Sequence, residues 1–377
     1  MIFTEEQAMI RDMARAFSRE QIAPRAADWD TNGEIPKKFL AEMGALGLMG
    51  MTIPEEWGGA ETDYVSYALA LIEVAAGDGG LSTLMSVNNA PMCAGVLAHG
   101  SDAQKNVWLR KMASGESIGA FCLTEPQAGT DASMLKTKAV RTGDGWVING
   151  TKQFITSGKI AGVSMIFAVT DASKGKKGIS AFLVPTDTKG YAVASVEHKL
   201  GQKSSDTCQL NFDEMYVPGD CLLGDEGQGY AIALGSLETG RIGIGAQAVG
   251  MARAALDYAI DYAKERTSFG APIMQHQAVS FRLADMATKL EAAELLVLNA
   301  AAKKDAGEPC LKEACMAKLF ASEAAEAICS AALQTLGGYG YLSEYPIEKI
   351  YRDVRVCQIY EGTSDVQKMV IARELAK

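Results

Sequence analysis

Near the end of the 377-residue chain, Ile359-Tyr360-Glu361-Gly362-Thr363-Ser364 places one carboxylate between an aromatic shoulder and a glycine, with a hydroxyl pair behind it. The approach, Val354-Arg355-Val356-Cys357-Gln358-Ile359-Tyr360, is largely apolar, and an amphipathic run follows from Asp365 to Leu375 with Val366, Met369, Val370 and Leu375 on its apolar positions. Shielding from water would raise such a carboxyl from ~4.3 toward the ~6–7 that suits a general base near neutrality. A plainer explanation of the same residue is a helix-start carboxylate that favours the N-terminal dipole.

Two further segments carry chemistry of another kind. Phe121-Cys122-Leu123-Thr124-Glu125-Pro126-Gln127-Ala128-Gly129-Thr130-Asp131 runs from an apolar strand into a loop with hydroxyls and a glycine. Backbone donors and hydroxyls at a strand exit suit the polar edge of a planar heterocycle; a strand-to-turn junction opened by Asp131 would read the same way. Phe154-Ile155-Thr156-Ser157-Gly158 offers an aromatic face, a hydroxyl and a glycine. Metal chemistry is not expected: the 3 histidines (99, 198, 276) are far apart and form no His-Glu-x-x-His arrangement. The 8 cysteines (93, 122, 208, 221, 310, 315, 329, 357) contain no Cys-x-x-Cys pair and read as reduced packing residues.

The elements that must hold these groups change texture along the chain. Hydrophobic residues at 48% and charged residues at 22% are ordinary for a globular protein, and a net charge of −10 argues against nucleic acid as partner. Residues 1–117 read as helical, opening on the capping-box spacing of Thr4 and Gln7, with further helical periodicity over Pro36 to Leu48, Tyr64 to Ala76 and Asp102 to Met112. Residues 118–228 alternate short β-branched or aromatic runs with Gly, Asp and Pro turns, which predicts an antiparallel β barrel or sandwich. Residues 229–377 return to long helical segments, about 229 to 266, 273 to 304, 309 to 336 and 363 to 376, which predicts a four-helix bundle. The fold class is therefore α+β, in the order helical domain, β domain, helical domain. Gly243-Ile244-Gly245-Ala246-Gln247-Ala248 fits a loose dinucleotide fingerprint, but no strand precedes it; small residues for close packing of one long helix explain it better. Neither a basic-then-apolar leader nor a transmembrane-length apolar run is present, so the expectation is a soluble cytoplasmic protein, with a mature mitochondrial matrix form left open.

Five spaced motifs together resemble the acyl-CoA dehydrogenase family over nearly the whole chain, in its short- and medium-chain, butyryl-CoA dehydrogenase-like branch. Cys122-Leu123-Thr124-Glu125-Pro126-x-Ala128-Gly129-Thr130-Asp131 is similar to the family's first signature. Gln334-Thr335-Leu336-Gly337-Gly338-Tyr339-Gly340-Tyr341, followed by Glu344, Lys349 and Arg352-Asp353, is similar to its second. Between them stand Glu265-Arg266-x-x-Phe269-Gly270 and Gln275-His276-Gln277, and Ile359 to Ser364 resembles the catalytic-base segment.

The resemblance implies an FAD enzyme of fatty acid β-oxidation that converts a short-chain, straight or branched, acyl-CoA to the trans-2-enoyl-CoA. In it Glu361 would take the α proton, the β hydrogen would pass as hydride to flavin N5, and electrons would go on to electron-transfer flavoprotein. Phe121, Leu123, Thr124, Gly129, Thr130, Phe154, Ile155 and Thr156 would line the flavin. Arg266, Phe269, Gln277, Gln334, Gly337 and Gly338 would meet the rest of FAD across a subunit interface, usually in a homotetramer, with Thr363 and Asp365 completing the cofactor site. Thr130, Glu238, Arg241, Tyr360 and Gly362 would contact substrate. In the isovaleryl and long-chain branches the base comes from the position of Gly240, where glycine supplies none. Departures from the pattern are Phe154 for a common tryptophan, Met134 for a small residue, and Gln202-Lys203 for a commoner Ile-Arg. An enoyl-CoA reductase or an acyl-CoA oxidase on the same fold stays open, as does a noncatalytic flavoprotein.

Overall fold

The computed structural model describes residues 2–377. Its first part is helical: α1 (Glu5–Phe17), α2 (Ala26–Asn32), α3 (Lys37–Ala45), α4 (Tyr64–Gly77), α5 (Gly79–Val87), α6 (Ala94–His99), α7 (Asp102–Gln104) and α8 (Arg110–Ala113). The capping box forms as its spacing predicts, with the Gln7 N–H donating to Thr4 Oγ1 at 3.1 Å and the Thr4 N–H donating to Gln7 Oε1 at 3.1 Å. Helices α4 and α5 are apolar nearly all round because they are buried on every side, and each starts on an aspartate cap, Asp63 and Asp78.

Eight strands follow: β1 (Gly119–Cys122), β2 (Lys138–Thr142), β3 (Gly145–Thr156), β4 (Val163–Val169), β5 (Ile179–Pro185), β6 (Tyr191–Val196), β7 (Thr207–Pro218) and β8 (Leu222–Leu223). They form one sheet ordered β6-β7-β3-β2-β4-β5-β8, with β1 beside β4. The pairing corrects the purely antiparallel expectation: β1 runs parallel to β4, and β2 meets β4 in a single parallel contact. The chain leaving β1 traverses the whole β2–β3 hairpin before returning as β4, and so long a crossover permits a parallel partner. Strands β2 and β6 lack a hydrophobic signature because β2 buries only Ala139 and β6 buries no side chain fully. Hydrogen bonds to better-buried neighbours define them.

The chain then forms α9 (Gly229–Glu265), a small hairpin of β9 (Thr267–Ser268) and β10 (Ala271–Pro272), α10 (Gln277–Asp305), α11 (Leu311–Leu336), α12 (Pro346–Val354) and α13 (Ser364–Leu375). Helices α9, α10, α11 and α13 are the four segments legible in the sequence; α12 is an additional short one. Helix α4 from the first part lies against α9 and α10, so a single core runs from Ala14 and Leu71 through Ile244 to Val297 and Ile328.

The glycine-rich stretch of α9 is helical throughout, and its glycines let α4, α5 and α10 approach. A Cβ on Gly243 would stand 2.6 Å from Ser86 Oγ, one on Gly245 would stand 2.8 Å from Val297 Cγ2, and one on Gly250 would stand 2.8 Å from Ala75 Cβ while overlapping the Ile72 carbonyl. Gly250→Ala is therefore expected to lower stability by about 1–3 kcal/mol through overpacking. Gly235→Ala, on the same helix with no atom within 4 Å of an added Cβ, is expected to raise it by about 0.5–1 kcal/mol. Urea midpoints of the two variants, moving in opposite directions, check this.

Candidate active site

Glu361 is not a helix-start carboxylate. A 3-10 turn over Arg355–Gln358 ends beneath it, Thr363 is the N-cap of α13, and Glu361 lies two residues before that cap with φ of 51°. Gly362 follows at φ 91°. A side chain in the left-handed region costs about 1–2 kcal/mol, so the turn needs external support. It comes from Lys318 Nζ, which donates to the Gly362 carbonyl at 2.5 Å, and from Gln367 Nε2, which donates to the same oxygen at 2.8 Å and to the Glu361 carbonyl at 3.4 Å.

The carboxylate stands in an environment that disfavours its charge. Oε2 of Glu361 is sealed from solvent and has no hydrogen-bond partner. Burial pushes its pKa up to about 7, against the opposing charges of Lys318 and Arg241. Helix α9 forms the wall: a Cβ on Gly240 would overlap Oε2 itself. Arg241 beside it is 7% exposed, and its Nε lacks a partner. Among the described residues the Glu361 N–H also has no acceptor.

Tyr360 turns its hydroxyl away from this space. It donates to Gln247 Oε1 at 2.5 Å and lies 3.3 Å from Thr83 Oγ1, while Thr83 donates to Gln202 Oε1 at 2.7 Å. Gln202, one of the departures from the family pattern, thus belongs to a buried polar chain under the base segment. Glu238 is held by Lys304 at 3.7 Å and by the Cys310 thiol at 3.7 Å, between the end of α10 and the start of α11.

The strand-exit segment is organised by a pair that sequence reasoning left without a role. Lys152, fully buried on β3, donates to Glu125 Oε1 at 2.8 Å and to the Leu123 carbonyl at 3.1 Å. Glu125 also accepts from the N–H groups of Lys136 at 2.6 Å and Thr137 at 3.0 Å, which ties down the loop bearing Gly129 and Thr130. Burial alone would raise the Glu125 carboxyl, but Lys152 and these donors hold it at about 2. A bulge in β3 between Lys152 and Ile155 puts Phe154 at φ 58° and leaves it 63% exposed. Ile155 points the other way into the sheet core, so only its backbone is available to a ligand. Phe121 packs edge-on against Phe167 at 4.9 Å, and Leu123 joins the cluster that includes Val87 and Met92.

A planar heterocycle fits this edge. Among the described residues the hydroxyls of Thr124 and Thr156 donate to no protein group, Gly129 has open space where a Cβ would stand, and the exposed Phe154 ring needs cover. The Thr363 hydroxyl caps α13, and Asp365 is exposed in its first turn.

A third group lies at the far end of α9. Arg266, Thr335, Gly337, Gly338 and Tyr339 line a cavity of about 410 Å³, and the Arg266 guanidinium stacks 5.5 Å over the Tyr339 ring. Phe269 is fully exposed at φ 51°, and Gln277 and Gln334 are exposed nearby on α10 and α11. At 1.5 Å per residue, the 25 helical residues from Gly240 to Glu265 place this group roughly 38 Å from the base along α9. One chain does not bring the two ends together.

Profiles of the acyl-CoA dehydrogenase N-terminal, middle and C-terminal domains match residues 4–116, 120–215 and 227–376. The chain belongs to the acyl-CoA dehydrogenase family. It is 47% identical over 373 residues to the mitochondrial short-chain specific acyl-CoA dehydrogenase of Bos taurus, covering 99% of this chain and 90% of that protein. Its fold superimposes on butyryl-CoA dehydrogenase from Megasphaera elsdenii with a TM-score of 0.98 at 40% identity, covering 100% of both chains. A glutaryl-CoA dehydrogenase from Mycobacterium smegmatis, solved in complex with FADH2, superimposes with a TM-score of 0.94 at 33% identity, over 99% of this chain and 95% of that one.

The second signature of this acyl-CoA dehydrogenase chain ties its parts together. Lys349 Nζ bridges Asp78 at 2.7 Å and Asp353 at 2.6 Å; Ser204 donates to Asp78 at 2.8 Å, and the Gln202 N–H donates to Asp353. No cluster able to hold a metal occurs among the described residues, none of their helices is long and apolar enough to cross a membrane, and all eight cysteines are unpaired.

The Glu125–Lys152 pair makes a pH prediction. Held at about 2 against an ordinary 4.5, Glu125 stabilises the fold fully above about pH 4.5, and that contribution, of order 3 kcal/mol, is lost as pH falls toward 2. Lys152→Met leaves the carboxylate buried without its partner and is expected to cost about 3–5 kcal/mol at pH 7. Urea unfolding at pH 7 and again below pH 4, where the gap to the parent protein should narrow, checks it.

Proposed function

We propose that the chain is an FAD-dependent short-chain acyl-CoA dehydrogenase in which Glu361 is the general base. The observation that carries this reading is the lone, solvent-sealed Oε2 of Glu361, raised to about 7 and set against the side-chain-free surface of Gly240. A carboxyl poised there is both ionised enough to accept a proton at neutral pH and basic enough to take one from carbon. The α C–H of a thioester is acidic only while its carbonyl oxygen is polarised, and the unpaired Glu361 N–H supplies one donor for that oxygen. Gly240 leaves room for the carboxylate itself, since an added Cβ there would overlap Oε2. Phe154, Thr124 and Thr156 would hold the flavin, which would supply the acceptor for the β hydrogen and its electron pair.

The thioester of coenzyme A with a short straight or branched acyl group is the substrate, and electron-transfer flavoprotein takes the electrons onward; the identity to the short-chain relative supports the first. Arg266, Gly337 and Gly338 are suited to a diphosphate, as a guanidinium next to backbone free of Cβ atoms. Because they lie roughly 38 Å along α9 from Gly240, they serve a cofactor held at another protomer's flavin edge. A homo-oligomer, at least a dimer and in the family's usual form a tetramer, is the reading that this distance and the uncovered Phe269 support.

Glu361→Gln is expected to retain flavin, read as the yellow absorbance of the purified protein, and to lose dehydrogenation by about a thousandfold or more. In the parent enzyme kcat should rise with pH through about 7, since only the ionised carboxylate acts as base. A flavin-free protein, or activity surviving in Glu361→Gln, would sink the assignment. Faster turnover of enoyl-CoA with reduced electron-transfer flavoprotein, or of acyl-CoA with oxygen, would reassign the direction or the acceptor. Sedimentation should give a multiple of the 40.0 kDa chain, and Arg266→Ala should weaken flavin retention without altering the pH limb of the remaining active enzyme.

A further inference from the structure

We propose that Lys318 is a positioning residue for the base: from its buried place on α11 its ammonium clamps the Glu361-Gly362 turn through the Gly362 carbonyl and supplies the positive charge facing the carboxylate. The inference rests on Glu361 being the base. A lysine is rarely fully buried without a carboxylate partner. Lys318 is 0% exposed among Ala314, Cys315, Ala317 and Ala321, and among the described residues it makes no ion pair. Its one hydrogen bond, at 2.5 Å, goes to the carbonyl of the residue after the base.

That carbonyl is the point from which the turn can be held. Glu361 and Gly362 occupy consecutive left-handed conformations, and rotation of the peptide between Gly362 and Thr363 would swing the carboxylate off the Gly240 wall. Gln367, also 0% exposed, donates to the same oxygen at 2.8 Å. The clamp therefore has a charged arm and a neutral arm, which allows position and charge to be separated by substitution.

The charged and titratable groups around Glu361 come from three elements. Lys318 faces it from α11 and Arg241 from α9, while Tyr67 on α4 also senses its charge; its own phenol is pushed far up by burial. Lys318 in turn faces the thiols of Cys357 and Cys315. Burial lowers Lys318 to about 8, partly offset by Cys357 and Glu361, so it is still charged where the base works. Without that charge the Glu361 carboxyl would ionise only at higher pH.

Three variants test this. Lys318→Gln retains a donor but not the charge: the ascending limb of kcat should move up by about one pH unit or more, with the alkaline plateau within about fivefold of the parent. Lys318→Met removes both and should shift the limb similarly while lowering the plateau about tenfold or more, with KM within about threefold. Gln367→Leu should lower the plateau and leave the limb in place. A second readout does not need turnover: the infrared band of the protonated carboxyl, assigned by its loss in Glu361→Gln, should titrate near 7 in the parent and at higher pH in Lys318→Gln. An unmoved limb and band in Lys318→Gln overturn the charge role. An undiminished plateau in Gln367→Leu, or in Lys318→Met where that variant folds, overturns the clamp. Absent turnover in the parent protein with the infrared shift intact would instead count against the dehydrogenase reading.

Discussion

The rest of the site depends on one electrostatic constraint: a carboxylate kept out of water with one oxygen left unpaired. In a protein interior an unpartnered carboxylate oxygen is expensive. It persists only where the surroundings cannot relax toward it. Here the surroundings are four packed helices. Helix α9 presents a bare backbone at Gly240, α11 and α13 grip the peptide carbonyls of the turn through Lys318 and Gln367, and α4 closes the far side behind Gly243. The glycine-rich surface of α9 thus serves two ends, letting α4 and α5 pack closely near its middle and leaving a space for a reacting group one turn earlier.

Two buried ionic assemblies make that arrangement rigid across parts of the chain that are distant in sequence. Lys349 joins Asp78 of the first helical part to Asp353 of the last, and Gln202 and Ser204 of the β part bond to the same two carboxylates. The base segment begins six residues after Asp353, and Gln202 also receives the Thr83 hydroxyl that contacts Tyr360. Lys152 and Glu125 do the corresponding work on the β side, fixing the loop that presents Gly129 and Thr130. Buried pairs of this kind contribute little net stability but are costly to break singly, so they specify one relative placement of the elements that meet at them.

Periodicity made the long helices legible almost to their ends, because α9, α10 and α11 bury continuous stripes, and the capping box at Thr4 and Gln7 is a local signal with a local outcome. Strands β2 and β6 were not legible, since their faces are mostly exposed and partners across the sheet define them. The parallel β1–β4 pairing was invisible for the same reason: strand direction is set by the path of the intervening chain. Around the site, Glu361 could be singled out from its apolar approach, and Gly240 from what glycine lacks. Lys318 and Gln367 were missed, although a lone lysine at helical spacing from Ala314 and Ala321 is a readable anomaly. The family resemblance implies substrate contact for Tyr360 and cofactor contact for Thr363, and the structure engages both hydroxyls within the protein. Motif membership locates a segment; it does not say which way each side chain turns.

The overlap between Gly240 and the Glu361 oxygen has a steric consequence. One volume can hold a side chain from either position but not from both, so α9 and the C-terminal turn compete for it like two keys cut for a single lock. A chain carrying both carboxylates could not keep this geometry, because an added Cβ at Gly240 would overlap Glu361 Oε2 and that side chain would have to swing aside. The location of the base is thereby tied to which of the two positions lacks a side chain.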